Sequence, residues 1–239
     1  MDKDILKIFD NKKYVNLAIA NSKKYKKNKP FPHIFFDNFL PKKIAFNLSK
    51  EFPKIGSVDK NWKVHKNINV ERYFLEDTSK FSNKLRLFSM IINSRKFILF
   101  LEALTGIESI IPDPYFMGGG AMTTAKGGFL KVHADFNFHH KLQSWRRVNA
   151  LFYLTPNWKK KWGGNLELWS SNKKRKVKEI EPLFNRVAII NSTSSTFHGQ
   201  PSPLNSPSNV SRNVFSAFYY TTKKDSKSLS TPHFTRYDL

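Results

Sequence analysis

The 239 residues include no cysteine. A disulfide framework is therefore impossible, and no secreted scaffold is implied. Long apolar runs are missing too. The most apolar stretch, FILFLEAL (97–104), is too short and too charged to cross a bilayer. The first ten residues, MDKDILKIFD, lack the apolar core of a signal peptide, so a cytoplasmic location is the default expectation. Acidic residues are scarce: 18 Asp+Glu stand against 41 Lys+Arg, a net charge of +23. Such an excess fits an anionic partner such as nucleic acid. It equally fits the codon bias of an AT-rich genome, given the abundance of Lys, Asn, Ile and Phe. The basic runs KKYKKNK (23–29), WKKKW (158–162) and KKRK (173–176) read as solvated loops, with Trp158 and Trp162 anchoring theirs rather than stacking on bases. Glycine-rich GGGAMTTAKGG (118–128) fits neither a P-loop nor a dinucleotide fingerprint.

Hydrophobic residues make up 40% of the chain, with 22 Phe, which suffices for one packed core. No repeat and no second domain is visible. Residues 1–239 are expected to form a single domain: a mostly helical part over 1–110, a core over 115–222 and a C-terminal tail over 223–239. Within the first part, residues 3–27 read as helical, and PFPHIFFDNFL supplies an entry strand at 31–39. PKKIAFNLSKEF (41–52) suits a short helix with Pro in its first turn. Phe81, Leu85, Phe88, Ile92 and Phe100 recur near helical spacing and predict a long helix over 79–104, broken near Asn93-Ser94. From Tyr115 onward, short strands alternate with Gly, Pro and Asn turns, the pattern of a jelly roll or barrel. The helices are expected on the outer face of one sheet, whose apolar stripe includes Val132 and Ala134.

Within FLKVHADF, Leu130, Val132, Ala134 and Phe136 alternate with Phe129, Lys131, His133 and Asp135. Strand periodicity puts His133 and Asp135 on one face, close enough to chelate one ion. An H-x-D alone is weak, and a surface strand with both residues facing water fits this segment equally well. Downstream stand His198, in FHGQ, and Arg212, in SRNVF. Two imidazoles and a carboxylate form the facial triad of non-haem Fe(II) oxygenases, which leaves one face of the metal open. His139 and His140 read as loop residues beyond the strand, and His33 and His65 as structural or solvated.

Several ordered motifs accompany this set: HAD, FYLTPNW, WGGNLELW, the P-x-x-N-R turn before an apolar strand, and the FH…R spacing. Together they resemble the 2-oxoglutarate/Fe(II) dioxygenases, in particular the prolyl-4-hydroxylase-like branch, over roughly residues 115–222. The opening PFPHIFFDNFLP is similar to the entry strand of many such proteins. The resemblance implies a fold that is mainly β with flanking helices, a double-stranded β-helix (jelly roll, cupin-like) with N-terminal helices packed on one sheet. It implies His133, Asp135 and His198 as Fe(II) ligands. Arg212 matches the residue that binds the distal carboxylate of 2-oxoglutarate, with Ser216 and Tyr153 supplying hydroxyls to it. Arg146 falls where some relatives place a substrate-contacting arginine, although Arg147 is adjacent and a one-residue slip exchanges them. The implied reaction consumes 2-oxoglutarate and O2, yields succinate and CO2, and hydroxylates an unactivated C–H of a prolyl residue or small molecule. Asp135 implies hydroxylation, because halogenating relatives carry a small residue there. Ascorbate dependence is an expectation of the family, and the residues do not speak to it.

The chain departs from the branch in two places. Arg212 follows His198 by fourteen positions, a wider gap than usual. The intervening GQPSPLNSPSN reads as a flexible Pro/Ser-rich loop over 199–211, a substrate lid or a longer turn. Met122 stands where many relatives carry a His, which marks it as a candidate substrate contact. A nucleic-acid-demethylating oxygenase of the same superfamily is the runner-up, not favoured because Phe218 occupies the place of that group's second arginine. A non-catalytic metal-binding barrel is the third reading, though structural zinc sites are normally closed by four protein ligands and no fourth is apparent. A peptide or small-molecule substrate is the expected partner; the oligomeric state is not legible.

Overall fold

The structure is a computed structural model that describes residues 2–54, 62–226 and 231–237. Its helices are α1 (Asp2–Leu6), α2 (Lys12–Lys27), α3 (Lys42–Lys50), α4 (Asn83–Ile92) and α5 (Arg95–Thr105). The Asn11 side chain caps α2 by accepting from Lys13 N, and Ser82 caps α4 by accepting from Leu85 N. The break between α4 and α5 falls at Asn93-Ser94 because both side chains bond elsewhere. Asn93 donates to the Asp113 carbonyl and Ser94 donates back to Ile91 O. Helix α5 ends on Gly106 in the left-handed region, φ +72°. The basic run at 23–27 is the last turn of α2 rather than a loop, where lysines face the negative end of the helix dipole.

Thirteen strands follow the chain: β1 (His33–Phe36), β2 (Lys63–Asn67), β3 (Val70–Leu75), β4 (Ile111–Pro112), β5 (Gly120–Thr124), β6 (Leu130–His133) and β7 (Phe138–His139), then β8 (Ser144–Tyr153), β9 (Leu166–Trp169), β10 (Lys176–Ile180), β11 (Val187–Asn191), β12 (His198–Gln200) and β13 (Arg212–Thr221). Among the described residues they form one antiparallel sheet in the order β1-β11-β8-β13-β5-β3-β6-β12-β9-β10, with β2 paired to β3, β4 to β13 and β7 to β8 beside this path, curled into a nearly closed barrel. The fold is mainly β, the expected double-stranded β-helix with flanking helices. The entry strand is shorter than expected, and the first 110 residues hold a hairpin, β2–β3, that the helical reading passed over. Its signal was the alternation in VERYFL after an Asn-rich turn. Among the described residues, no helix is long and apolar enough to cross a membrane.

The helices cover the sheet at β8, β11 and β13, not the stripe holding Val132 and Ala134. Alternate residues Val148, Ala150 and Phe152, Val187 and Ile189, and Phe215, Ala217 and Tyr219 join the core under α2, α4 and α5. Strand β6 lies in the opposite wall, where helices do not reach. Phe97 is fully buried, with its ring 4.7 Å from Phe9, 5.4 Å from Phe100 and 5.9 Å from both Phe152 and Tyr219. Truncating it in Phe97→Ala is expected to cost about 3–5 kcal/mol in denaturant unfolding, because the rigid rings around it cannot collapse into the hole. A loss below about 1 kcal/mol would mean that this face is not the core.

Candidate active site

Strands β6 and β12 lie antiparallel in a register that sets His133 opposite His198, ring centroids 4.6 Å apart. Asp135 lies just past the end of β6, beyond Ala134, whose backbone exchanges two hydrogen bonds with Arg236 of the C-terminal segment. His133 Nε2 stands 3.4 Å from Asp135 Oδ1, and His198 Nε2 stands 3.4 Å from Oδ2. One ligand atom from each residue falls within 4.8 Å of the others. The other ring nitrogens are committed. His133 Nδ1 lies 2.8 Å from Lys131 O, and His198 Nδ1 lies 3.1 Å from Thr196 O. A carbonyl accepts only from a protonated nitrogen, so both Nδ1 atoms carry hydrogen and the Nε2 atoms are the ones turned toward Asp135. Burial lowers the His198 pKa to about 4, with Asp135 opposing and His133 reinforcing, so this ring is neutral near pH 7. Two imidazole nitrogens and a carboxylate thus converge, and a divalent cation fits that donor set.

Asp135 is itself held. Burial pushes its carboxyl pKa up, but Arg146 first, then His198 and His133, outweigh this and hold it well below the usual range. Arg146 Nη2 lies 3.1 Å from Oδ2, Asn149 Nδ2 donates to Oδ2 at 2.8 Å, and Arg146 Nε donates to Asn149 Oδ1. The guanidinium is wedged over Phe218 at 3.5 Å and Phe136 at 4.6 Å. Arg147 points away, to Thr221 and Asp225. The strand alternation of β8 therefore resolves the one-residue ambiguity: Arg146 faces the site, and its charge is engaged by Asp135. Asn149 had no signal of its own in the sequence.

On β13 the alternate residues Arg212, Val214 and Ser216 face the same cavity, and β8 sets Tyr153 opposite Val214. The Arg212 guanidinium lies 5.1 Å from the Tyr153 ring centroid. Gly164, φ +78°, lets this arginine lie close. A Cβ there would come within 3.0 Å of Arg212 Cδ and 2.7 Å of Leu204. Among the described residues, Arg212 Nε, Tyr153 Oη and Ser216 Oγ are buried without hydrogen-bond partners. Burial drives the Arg212 pKa down, with Tyr153 opposing, and drives the Tyr153 pKa up, with Arg212 opposing. Buried orphans of this kind are rare and costly, and a carboxylate would satisfy all three.

The cavity that joins the His-Asp-His set to Arg212 and Ser216 has a volume of about 390 Å³ and includes Met122 in its wall, while Tyr153 is buried behind it with Leu166 and Val214. His140 lines it as well, while His139 is buried in β7 against Asp113. The expected 199–211 loop begins later, because Gly199 and Gln200 belong to β12. Leu204 is buried with Trp158 and Trp162, and its backbone bonds Gly127 and Gly128. Two features escaped the sequence reading. Arg72, on β3, enters the cavity from the unexpected hairpin, and the C-terminal segment 231–237 forms part of the wall. Tyr237 stacks 5.5 Å from His133, and His233 is tied to Asn137 and Ser194.

The sequence pattern of the 2OG-Fe(II) oxygenase superfamily matches residues 119–220, a span that holds both clusters. No curated protein matches the sequence. Solved structures share the fold at low identity. A prolyl hydroxylase of Trichoplax adhaerens, in complex with a peptide fragment of the hypoxia inducible factor oxygen degradation domain, is 16% identical, with a TM-score of 0.62 over 87% of this chain and 91% of that one. A Pseudomonas putida prolyl-4-hydroxylase is 13% identical, with a TM-score of 0.60 over 86% and 98%. HygX from Streptomyces hygroscopicus, with nickel, 2-oxoglutarate and hygromycin B bound, is 11% identical, with a TM-score of 0.50 over 79% and 82%.

Proposed function

We propose that the chain is a member of the 2OG-Fe(II) oxygenase superfamily, whose pattern matches residues 119–220, and that it hydroxylates an unactivated C–H, in a prolyl residue of a peptide. The observation that carries this reading is the meeting of two incomplete sites in one cavity. A His-Asp-His donor set fits a divalent cation, and Arg212 and Ser216, backed by Tyr153, fit a carboxylate. His133, Asp135 and His198 would hold Fe(II) through one face. Arg212, helped by the two hydroxyls, would bind the distal carboxylate of 2-oxoglutarate and so orient its other end toward the metal. When bound, Fe(II) and 2-oxoglutarate supply oxidative decarboxylation with O2, giving succinate and CO2 and an oxygen atom for the substrate. Arg146 and Asn149 fix Asp135 so that the donor set keeps its shape as ligands exchange. Ascorbate would serve only to keep the metal reduced.

Similarity of fold to two prolyl hydroxylases supports the prolyl substrate, and Met122 and the tail would line its approach. HygX carries hygromycin B on the same fold, which favours a small molecule as the second reading. The nucleic-acid reading has only the +23 charge behind it, because Phe218 packs under Arg146 where a second arginine would be needed. The test is substrate-stimulated succinate formation above the uncoupled rate, with Pro-rich peptides, free proline and nucleotide sugars. A peptide or proline product gaining one oxygen by mass is expected; stimulation by a sugar alone would discard the prolyl substrate and keep the oxygenase.

A further inference from the structure

Five charged side chains line the cavity: Arg72, Glu76, Asp135, Arg146 and Arg212. Glu76 is paired with Lys63 and accepts from Gly118 N, and Asp135 is paired with Arg146. Arg212 has an assigned anion, the distal carboxylate of 2-oxoglutarate. Arg72 is left. It is 7% exposed, its Nε is buried without a partner, and among the described residues its guanidinium makes no hydrogen bond and no ion pair. An unpaired buried guanidinium is expensive, and arginine does not escape by losing its proton near pH 7. Burial lowers its pKa to about 9, with Arg212 adding to the fall and Tyr153, Tyr237 and Asp135 opposing it. Even so it stays charged at neutral pH.

Its place in the sheet says which anion it awaits. The strand order β13-β5-β3-β6 sets Arg72 between the Arg212 strand and the His133 strand, with β5 separating it from Arg212. Val70, Arg72 and Phe74 alternate inward, and the Val70–Leu130 pairing ties this end of β3 to β6. Tyr237, the tail residue stacked on His133, feels the charges of Arg72 and Asp135. The pairings Tyr73–Thr123 and Arg212–Thr124 set Arg72 level with Arg212 across β5, and its charge reaches Tyr237 of the tail as well. Arg212, Tyr153 and Ser216 already supply enough donors for one carboxylate. With Fe(II), 2-oxoglutarate and these side chains counted together, the cavity remains net positive. One further anionic group would bring this tally to neutrality.

We propose that Arg72 receives an anionic group carried by the substrate, a carboxylate or phosphate, and so selects acidic substrates for the oxidation. The guanidinium fork matches two acceptor oxygens of either group. This rests on the oxygenase assignment and narrows it: the prolyl reading becomes free proline, a C-terminal proline, or proline beside an acidic residue.

The experiment uses the full chain with Mn(II) in place of Fe(II) and two readouts. In the first, calorimetry gives the affinity for 2-oxoglutarate in the wild type, Arg72→Gln and Arg72→Lys. In the second, with 2-oxoglutarate saturating, Mn(II)-enhanced proton relaxation reports binding of N-acetylproline against N-acetylprolinamide, and of O-phosphoserine against serine. Expected is a 2-oxoglutarate affinity within about threefold of wild type in Arg72→Gln. Expected too is a wild-type preference of at least about tenfold for one anionic probe over its neutral partner, lost in Arg72→Gln and partly kept in Arg72→Lys. The probe pair that shows the preference tells carboxylate from phosphate. A fall in 2-oxoglutarate affinity with Arg72→Gln would assign the residue to the co-substrate and overturn the proposal. No anionic preference in the wild type, including no probe binding, would overturn it while normal 2-oxoglutarate binding leaves the oxygenase standing. Failure of the wild type to bind 2-oxoglutarate would overturn both. The wild-type comparison is decisive even where a variant folds poorly. The melting temperature of the metal-free Arg72→Gln protein should hold or rise; a clear drop would mark a structural arginine and count against the proposal.

Discussion

Asp135→Ala is expected to abolish Fe(II)-dependent succinate formation and, separately, to destabilise the metal-free protein. The first effect comes from the donor set. Disturbing a group that merely orients a metal ligand already costs roughly 10–100-fold in metal affinity, so deleting a ligand should cost more than about 100-fold. The second effect comes from Arg146. In the folded chain this guanidinium is 2% exposed, flanked by Phe136 and Phe218, and its counter-ion is Asp135. Removing one partner of a buried pair costs about 3–5 kcal/mol, which for a chain of this size lowers Tm by roughly 6–20 °C. His198→Ala should separate the two effects. It should lose metal binding equally, yet it removes a lone pair that faces a carboxylate at 3.4 Å and strands no charge. Its metal-free Tm should fall much less than that of Asp135→Ala. Calorimetry with Fe(II) under anaerobic conditions and thermal melts of the metal-free proteins check both. Retention of full turnover by Asp135→Ala would end the hydroxylase assignment.

The fold was legible where local pattern and tertiary contact agree. The break of the long helix fell at Asn93-Ser94, because two side chains that compete with helical backbone stand there in succession. The strands of the second half carried their own turn residues, so their existence could be read without knowing their partners. The hairpin at Lys63–Leu75 was lost because β2 is exposed along its length, and an exposed strand has no apolar alternation to betray it. That loss carried a second one. Arg72 is invisible as a site residue until β3 is known to lie between β5 and β6, since an arginine in VERYFL otherwise reads as a surface charge. The same limit applies to the tail: HFTRY has no motif, and only the Ala134–Arg236 bridge brings it to the metal ligands. His133, Asp135, His198 and Arg212 were readable together because ordered motifs spaced them. Asn149 was not, because a single asparagine on a strand carries no signal without its carboxylate in view. Which sheet the helices cover was misjudged for a related reason. The apolar stripes of β6 and β8 look alike in sequence, and only the strand order tells them apart.

Arg212→Met should act in the opposite sense to Asp135→Ala. In the ligand-free fold Arg212 is a buried cation whose Nε has no partner, and Arg72 stands near enough to add repulsion. Methionine keeps much of the aliphatic stem that fills the space beside Gly164 while discarding the charge. The metal-free melting temperature should therefore hold or rise, since replacing a buried charge by an apolar group of similar volume is often neutral or stabilising. Binding of 2-oxoglutarate should collapse. Truncating one partner of a buried, hydrogen-bonded charge pair costs about 2–5 kcal/mol, or between roughly 30-fold and several thousandfold in Kd. Metal affinity should change little, because Arg212 is not among the metal's donor atoms. Consequently the rise in Tm that 2-oxoglutarate confers on the metal-loaded wild type, a mass-action effect of binding only the folded state, should vanish in the variant at the same ligand concentration. Three melts and one titration decide the matter. A wild-type Kd in Arg212→Met would mean that the guanidinium points away from the co-substrate. A large drop in metal-free Tm with the Kd intact would make Arg212 a packing residue, leaving the orphaned hydroxyls of Tyr153 and Ser216 without the anion that explains them.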